Sequence, residues 1–175
     1  MVYAIQGGGG IDFSQADSSA QFPLGLAVQD NLGGSWCYVE AGAALTAYNC
    51  YKMLVNGVVG SSTAKDNTVD DNAANFVGGF PCCWPQQSFD SGDFGWVQTA
   101  TGDGTLEAFT VTGISAGDKL YTSATAGAMD NTAAAHWGII GQVIAVDANA
   151  TGTIAITVQV AAPARVDTVV ANAAA

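Results

Sequence analysis

The chain has 175 residues, the size of one domain, and sets fifteen Asp and Glu against four Lys and Arg, a formal charge of -11. That excess repels phosphate backbones and anionic bilayers, so neither nucleic acid nor a membrane is an expected partner. Helix formers are scarce while Thr, Val, Ile, Gly, Asn and Asp are plentiful, so the fold expected is all-β: a small antiparallel β-sandwich or barrel with an extended N-terminal arm and a short C-terminal tail.

The arm is expected over residues 1–33. Its apolar residues Tyr3, Ile5, Ile11, Phe13, Phe22, Leu24, Leu26 and Val28 are interrupted by Gly7–Gly10 and by Asp and Ser, so the segment has no core of its own. It is expected to become ordered against its own domain, a neighbouring copy or a partner. No basic stretch followed by an apolar run marks a signal peptide, and no window approaches the roughly 20 apolar residues of a membrane helix. Synthesis in the cytosol is expected, with Cys37, Cys50, Cys82 and Cys83 as buried free thiols.

The β-rich body is expected over residues 34–162. Ser35 to Glu40 reads as its first strand. Tyr48 to Val55 reads as a second, turning at Asn56-Gly57 into Val58-Val59 as a hairpin. Residues 60–75 are polar and aperiodic, a long surface loop. Asp66, Asn67, Asp70, Asp71 and Asn72 lie in it without the alternating order of a calcium loop, and are read as a solvated turn. Phe76 to Pro85, bounded by prolines and containing Phe80 and Trp84, suits an irregular edge or packed contact loop better than a central strand.

The second half is more regular. Strands are expected at Gly95–Gln98, Leu106–Val111, Lys119–Thr122, Ile139–Val146 and Thr153–Val160, separated by turns at 101–104, 115–118 and 147–152. Ile154, Ile156, Val158 and Val160 share one face of the last strand. Ile139 to Val146 is apolar on both faces, as a central strand would be. Residues 163–175 form the tail.

The chain offers little to catalysis. Its single histidine, His136, lies among alanines beside Trp137, and no Gly-x-Ser-x-Gly elbow is present. Asp90 with Asp93, and Asp70 with Asp71, sit in polar loops where nothing would push their pKa values apart. No metal site, cofactor or enzyme activity is expected. The supply of Trp and Tyr suits a protein that binds others, and a fibre or carbohydrate-binding β module stands as the alternative reading.

Gly95-Trp96-Val97-Gln98, Val111-Thr112-Gly113-Ile114-Ser115-Ala116-Gly117-Asp118-Lys119-Leu120-Tyr121, Ala124-Thr125-Ala126-Gly127-Ala128-Met129 and Ile139-Ile140-Gly141-Gln142-Val143 follow one another in an order that resembles the capsid decoration (cement) proteins of tailed bacteriophages. Trp36 to Ala41 and Ala43 to Tyr48 extend the likeness upstream, so it covers roughly residues 36–160. The resemblance implies a structural virion protein on the capsid exterior, a homotrimer bound to the major capsid protein and stabilising contacts between capsomers. Tyr3, Ile5, Ile11, Phe13, Phe22, Phe80 and Trp84 are the expected shell or subunit contacts. The segment 60–90, with its Cys82-Cys83 pair, departs from the family's pattern.

Overall fold

Side chains alternate along the longest strands, and that alternation decides what each face of the molecule buries. The computed structural model describes residues 2–5, 9–53, 58–59, 82–123, 125, 127–132, 139–140, 143–160 and 165–166. Among them there is no helix, and about 47% of residues are in strands, twice the usual share, so the fold is all-β. The strands in chain order are β1 (Val2–Ile5), β2 (Gly9–Asp12), β3 (Ala16–Asp17), β4 (Ala27–Gln29), β5 (Ser35–Ala41), β6 (Tyr51–Lys52), β7 (Val58–Val59) and β8 (Cys82–Pro85). They continue with β9 (Phe94–Ala100), β10 (Leu106–Thr110), β11 (Tyr121–Thr122), β12 (Met129–Asp130), β13 (Ile139–Ile140), β14 (Val143–Ala145), β15 (Ile154–Val160) and β16 (Arg165–Val166).

The larger sheet runs β4-β5-β9-β8-β6, with β3 added to β9 and β7 to β5. Its centre is buried on both faces. On one, Cys37, Val39, Ala41, Val97 and Cys83 pack under Leu45 and Phe89. On the other, cross-strand pairing sets Trp36 and Trp84 on either side of Gln98, and Tyr38 beside Trp96. Two different layers cover this second face: the N-terminal segment over Trp36, Tyr38 and Trp96, and the smaller sheet over Cys82 and Trp84.

The smaller sheet runs β11-β12-β10-β15-β14. It curls back on itself. Lys119 bridges Ile144, the Leu120 N–H donates to the Val143 carbonyl, and the Ala145 N–H donates to the Asp118 carbonyl, so the segment before β11 pairs with the far edge strand β14. Leu106, Ala108, Leu120, Met129, Val143, Ile156, Val158 and Val160 fill the interior, and Trp84, Cys50 and Cys82 of the larger sheet plug it. Pairing in both sheets is antiparallel except for β5 with β7 and β10 with β12.

Side-chain amides and hydroxyls lock the junctions. Asn149, fully buried, donates through Nδ2 to the Thr110, Val111 and Gly152 carbonyls and accepts at Oδ1 from the Thr151 N–H, which pins two loops together. The Thr101 N–H and hydroxyl both donate to the Val160 carbonyl, while the Val160 N–H donates to Thr101 Oγ1; this joins the end of β9 to the end of β15. The Asp118 carboxylate accepts from the Ser115 N–H and from Asn131 Nδ2, and those two bonds hold it below its usual range. Tyr48 sits at φ 68, a conformation rare for a bulky residue. It is held there by its N–H on the Pro85 carbonyl and its carbonyl on the Phe109 N–H, across the gap between sheets.

Several expectations are corrected. Cys82–Pro85 is an inner strand between β6 and β9, buried throughout, rather than an irregular edge; Pro85 is tolerated because it ends the strand. Val58-Val59 pairs in parallel with β5 and Tyr51-Lys52 pairs with β8, so these two do not form the expected hairpin with each other; Asn56-Gly57 lies outside the described residues. The run from Ile139 is divided: β13 pairs with β16, and β14 is the last strand of its sheet rather than a central one. In β15, Ile156, Val158 and Val160 point inward as expected, but Ile154 is 43% exposed where the strand begins. The loop 60–75, with Asp66 to Asn72, and most of the tail 163–175 fall outside the described residues.

Candidate functional site

Ile11 and Phe13 are buried in a cluster with Trp36, Tyr38 and Trp96. Phe13 stacks on Trp36 with ring centroids 4.5 Å apart and meets Trp96 edge-on at 5.3 Å, while Tyr38 meets Trp96 at 5.2 Å. The Gln21 N–H donates to the Tyr38 hydroxyl at 2.9 Å, which anchors the end of the same segment. The partner of these two arm residues is thus the chain's own larger sheet. Trp84 is also a core residue, fully buried, and its indole N–H has no hydrogen-bond partner among the described residues.

Of the other residues expected at contacts, Phe22 lies at the surface, 36% exposed, with its ring against Tyr38 and Trp96. Leu24 and Leu26 follow it at 37% each, and the segment runs straight into β4, the outermost strand on its side of the larger sheet. Tyr3 and Ile5 belong to β1, which pairs with β2. Phe80 and His136 lie outside the described residues.

Two layers cover the second face of the larger sheet. Between them lies a cleft of about 220 Å³, lined by Phe13, Ser14, Trp36, Gln86, Gln98, Thr105, Leu106 and Glu107. Gln98 is at its base, 4% exposed in the row between Trp36 and Trp84, with Nε2 donating to the Ala100 carbonyl at 3.2 Å. One wall is built by Gln86, whose amide bonds the main chain of Glu107; the Glu107 carboxylate accepts from the Thr157 hydroxyl at 3.3 Å. The sequence reading missed Gln86, Gln98 and Glu107. Gln98 shares strand parity with Trp96, which marks it as a polar residue on an aromatic face, but the cleft becomes visible only once β8 and β10 are brought together.

The described residues do not assemble a metal-binding cluster. They contain no cluster of three or more His, Cys, Asp or Glu able to hold a metal ion. All four cysteines are free and buried. Burial pushes the Cys37 thiol up to about 11 and raises Cys50 and Cys83 well above the ordinary thiol value, with neighbouring Cys82 adding to the rise in both. Thiols shifted this way keep their protons at neutral pH.

No protein family, curated protein or solved structure matches the chain.

Proposed function

We propose that this protein is a capsid decoration protein of a tailed bacteriophage, a homotrimer that binds the major capsid protein on the outside of the shell and stabilises contacts between capsomers. The observation that carries the reading is the surface segment Phe22-Pro23-Leu24-Gly25-Leu26. It is apolar and exposed, and it lies in a nine-residue stretch, residues 21–29, that carries no charge in a chain of net charge -11. A strongly acidic chain packed in many copies repels itself least where its surface is neutral, so an uncharged apolar stretch of this kind lowers the electrostatic cost of a close contact. The order of motifs in the sequence, which resembles the decoration proteins, supports the same reading. Each contact is modest, and many copies on one shell add through avidity.

The test is native mass determination of the purified chain followed by co-sedimentation with capsids that lack it. The expected result is a trimer that pellets with the shells, and a Leu24→Asp, Leu26→Asp double variant that stays in the supernatant while keeping its fold, since neither leucine belongs to the aromatic core. A monomer that leaves the shells bare overturns the proposal.

A further inference from the structure

The four cysteines are divided between the two faces of the larger sheet, and the register of its strands decides which of them can meet. Strand β6 pairs with β8 so that Tyr51 lies opposite Cys83 and Lys52 opposite Cys82. Side chains alternate along each strand. Tyr51 and Cys83 therefore fall on one face, in the layer that also holds Cys37, while Cys50, Cys82 and Trp84 fall on the other, against the interior of the smaller sheet. There a side-chain hydrogen bond links the Cys50 and Cys82 thiols.

The same register bars every other pairing. Cys82 and Cys83 are neighbours in one strand and point to opposite faces. That division also separates Cys50 from Cys83, and Cys37 from both Cys50 and Cys82. Cys37 and Cys83 share a face, but β9 lies between their strands. Two strand spacings hold them roughly 9–10 Å apart, beyond the approximately 7 Å that the Cα atoms of a disulfide span.

We infer that Cys50 and Cys82 are a redox pair: when the chain passes from a reducing to an oxidising solution, the two thiols close to a disulfide that fastens the edge strand β6 to the inner strand β8. β6 is the last strand on its side of the sheet and only two residues long, so it is the end of the sheet that opens most readily. The oxidant is a small disulfide such as oxidised glutathione. Once the strand opens and Cys50 has lost its proton, the Cys50 thiolate attacks one sulfur of the reagent and displaces one thiolate. Cys82, deprotonated in turn, attacks the Cys50 sulfur of the mixed disulfide and displaces the second. Two protein thiols are oxidised to one disulfide, and the reagent is reduced to two thiols. Cys50 and Cys82 are 1% and 0% exposed, so the exchange waits on that opening and runs over hours. The pair closes whether or not the chain binds a capsid.

The experiment is an overnight incubation of the folded, reduced full chain with oxidised glutathione at pH 8. Remaining thiols are then blocked with N-ethylmaleimide in urea, and the chain is weighed and peptide-mapped. The expected product is lighter by two hydrogens before blocking, with the Cys50 and Cys82 peptides joined and Cys37 and Cys83 alkylated. It should unfold at a higher urea concentration than the reduced chain, because the cross-link restrains the unfolded state, and dithiothreitol in denaturant should return the original midpoint. Cys50→Ser and Cys82→Ser, each checked for its fold by near-UV circular dichroism, should form no intramolecular disulfide, while Cys37→Ser should oxidise as the wild type does. Mapping of the wild-type chain decides the pairing even where a serine variant fails to fold. A folded wild-type chain that still carries four thiols, a cross-link between any other two cysteines, or an intramolecular disulfide in Cys50→Ser or Cys82→Ser overturns the inference.

Discussion

The side chain of Gln86 pairs with the main chain of Glu107 as one strand pairs with another: Nε2 donates to the Glu107 carbonyl at 3.2 Å, and Oε1 accepts from the Glu107 N–H at 3.0 Å. Gln86 follows β8 of the larger sheet directly, and Glu107 lies in β10 of the smaller one. The two sheets are therefore joined by hydrogen bonds at a point where no strand passes between them. The same amide also donates to the Trp84 carbonyl, which holds it in the plane it needs.

Replacing Gln86 by Ala removes both bonds and leaves the half-buried Glu107 N–H unserved. The expected loss is about 1–3 kcal/mol, the cost of an unsatisfied donor, read as a lower urea midpoint at unchanged slope. Gln86→Glu should do no better than Ala. A carboxylate keeps the acceptor for the Glu107 N–H but loses the donor for the carbonyls, against which it sets a negative charge. Equal stability of all three proteins would show that the sheets are held by apolar packing alone.

Phe13 is a core residue of the free chain. Its ring is stacked on Trp36 and set edge-on to Trp96, and it is 3% exposed. Phe13→Ala should cost about 3–5 kcal/mol, the range for deleting a buried aromatic ring, and should weaken the near-UV circular dichroism of the surrounding tryptophans. Removing residues 1–20 takes Ile11 with it and should be worse. A truncated chain that unfolds at the same urea concentration as the full one would contradict this packing.

How much of this could be read from the chain alone depends on which interactions decide each element. The all-β class followed from composition. The strands around Ser35–Glu40, Gly95–Gln98 and Leu106–Val111 followed from apolar, aromatic and β-branched runs between turn signals, and the one at Thr153–Val160 from short-range alternation, which survives into the fold because that strand has one face to bury. Cys82–Pro85 was misjudged because two prolines signal an edge locally, while the tertiary structure makes this strand the wedge between two sheets. The N-terminal segment looked unpartnered because Ile11 and Phe13 are matched by Trp36, Tyr38 and Trp96, more than twenty to eighty residues away. The cleft was illegible for a related reason. Its residues come from separate stretches of chain, and their polarity looks like ordinary surface until the sheet pairing puts Gln98 between two indoles.

Gly102 marks a place where the backbone leaves no room for a side chain. It sits at φ +56, and a Cβ there would meet the Leu32 carbonyl oxygen and, at 2.5 Å, the Gly33 carbonyl carbon. The contact holds the turn before β5 against the turn after β9, with the Asp103 N–H donating to the Leu32 carbonyl at 2.8 Å. Gly102→Ala should therefore cost at least about 2 kcal/mol in thermal or urea unfolding, combining a strained φ with a clash against main chain that cannot swing aside. Gly113→Ala is the control. Gly113 also has a positive φ, +92, but nothing lies within 4 Å of its Cβ position, so only the backbone term applies and the loss should be smaller. Equal losses at the two positions would mean that the two turns do not press on each other.

The buried thiols give the stability a definite dependence on alkaline pH. Burial raises Cys37 from 9.0 to about 11, and Cys50 and Cys83 move in the same direction. The folded chain thus keeps these protons at a pH where the unfolded chain has lost them. The stabilisation is fully present below pH 9, falls as the pH rises through 9, and for Cys37 is exhausted by about pH 11. Unfolding free energy measured in urea should therefore decline across that window, and Cys37→Ser should flatten the decline. Thiol-specific reagents at pH 8 should leave all four cysteines largely unmodified in the native protein and modify all four in denaturant. Rapid labelling of the native chain would mean that the core around β8 opens readily. A wild-type stability curve flat from pH 8 to 11 would mean that the thiols are solvated.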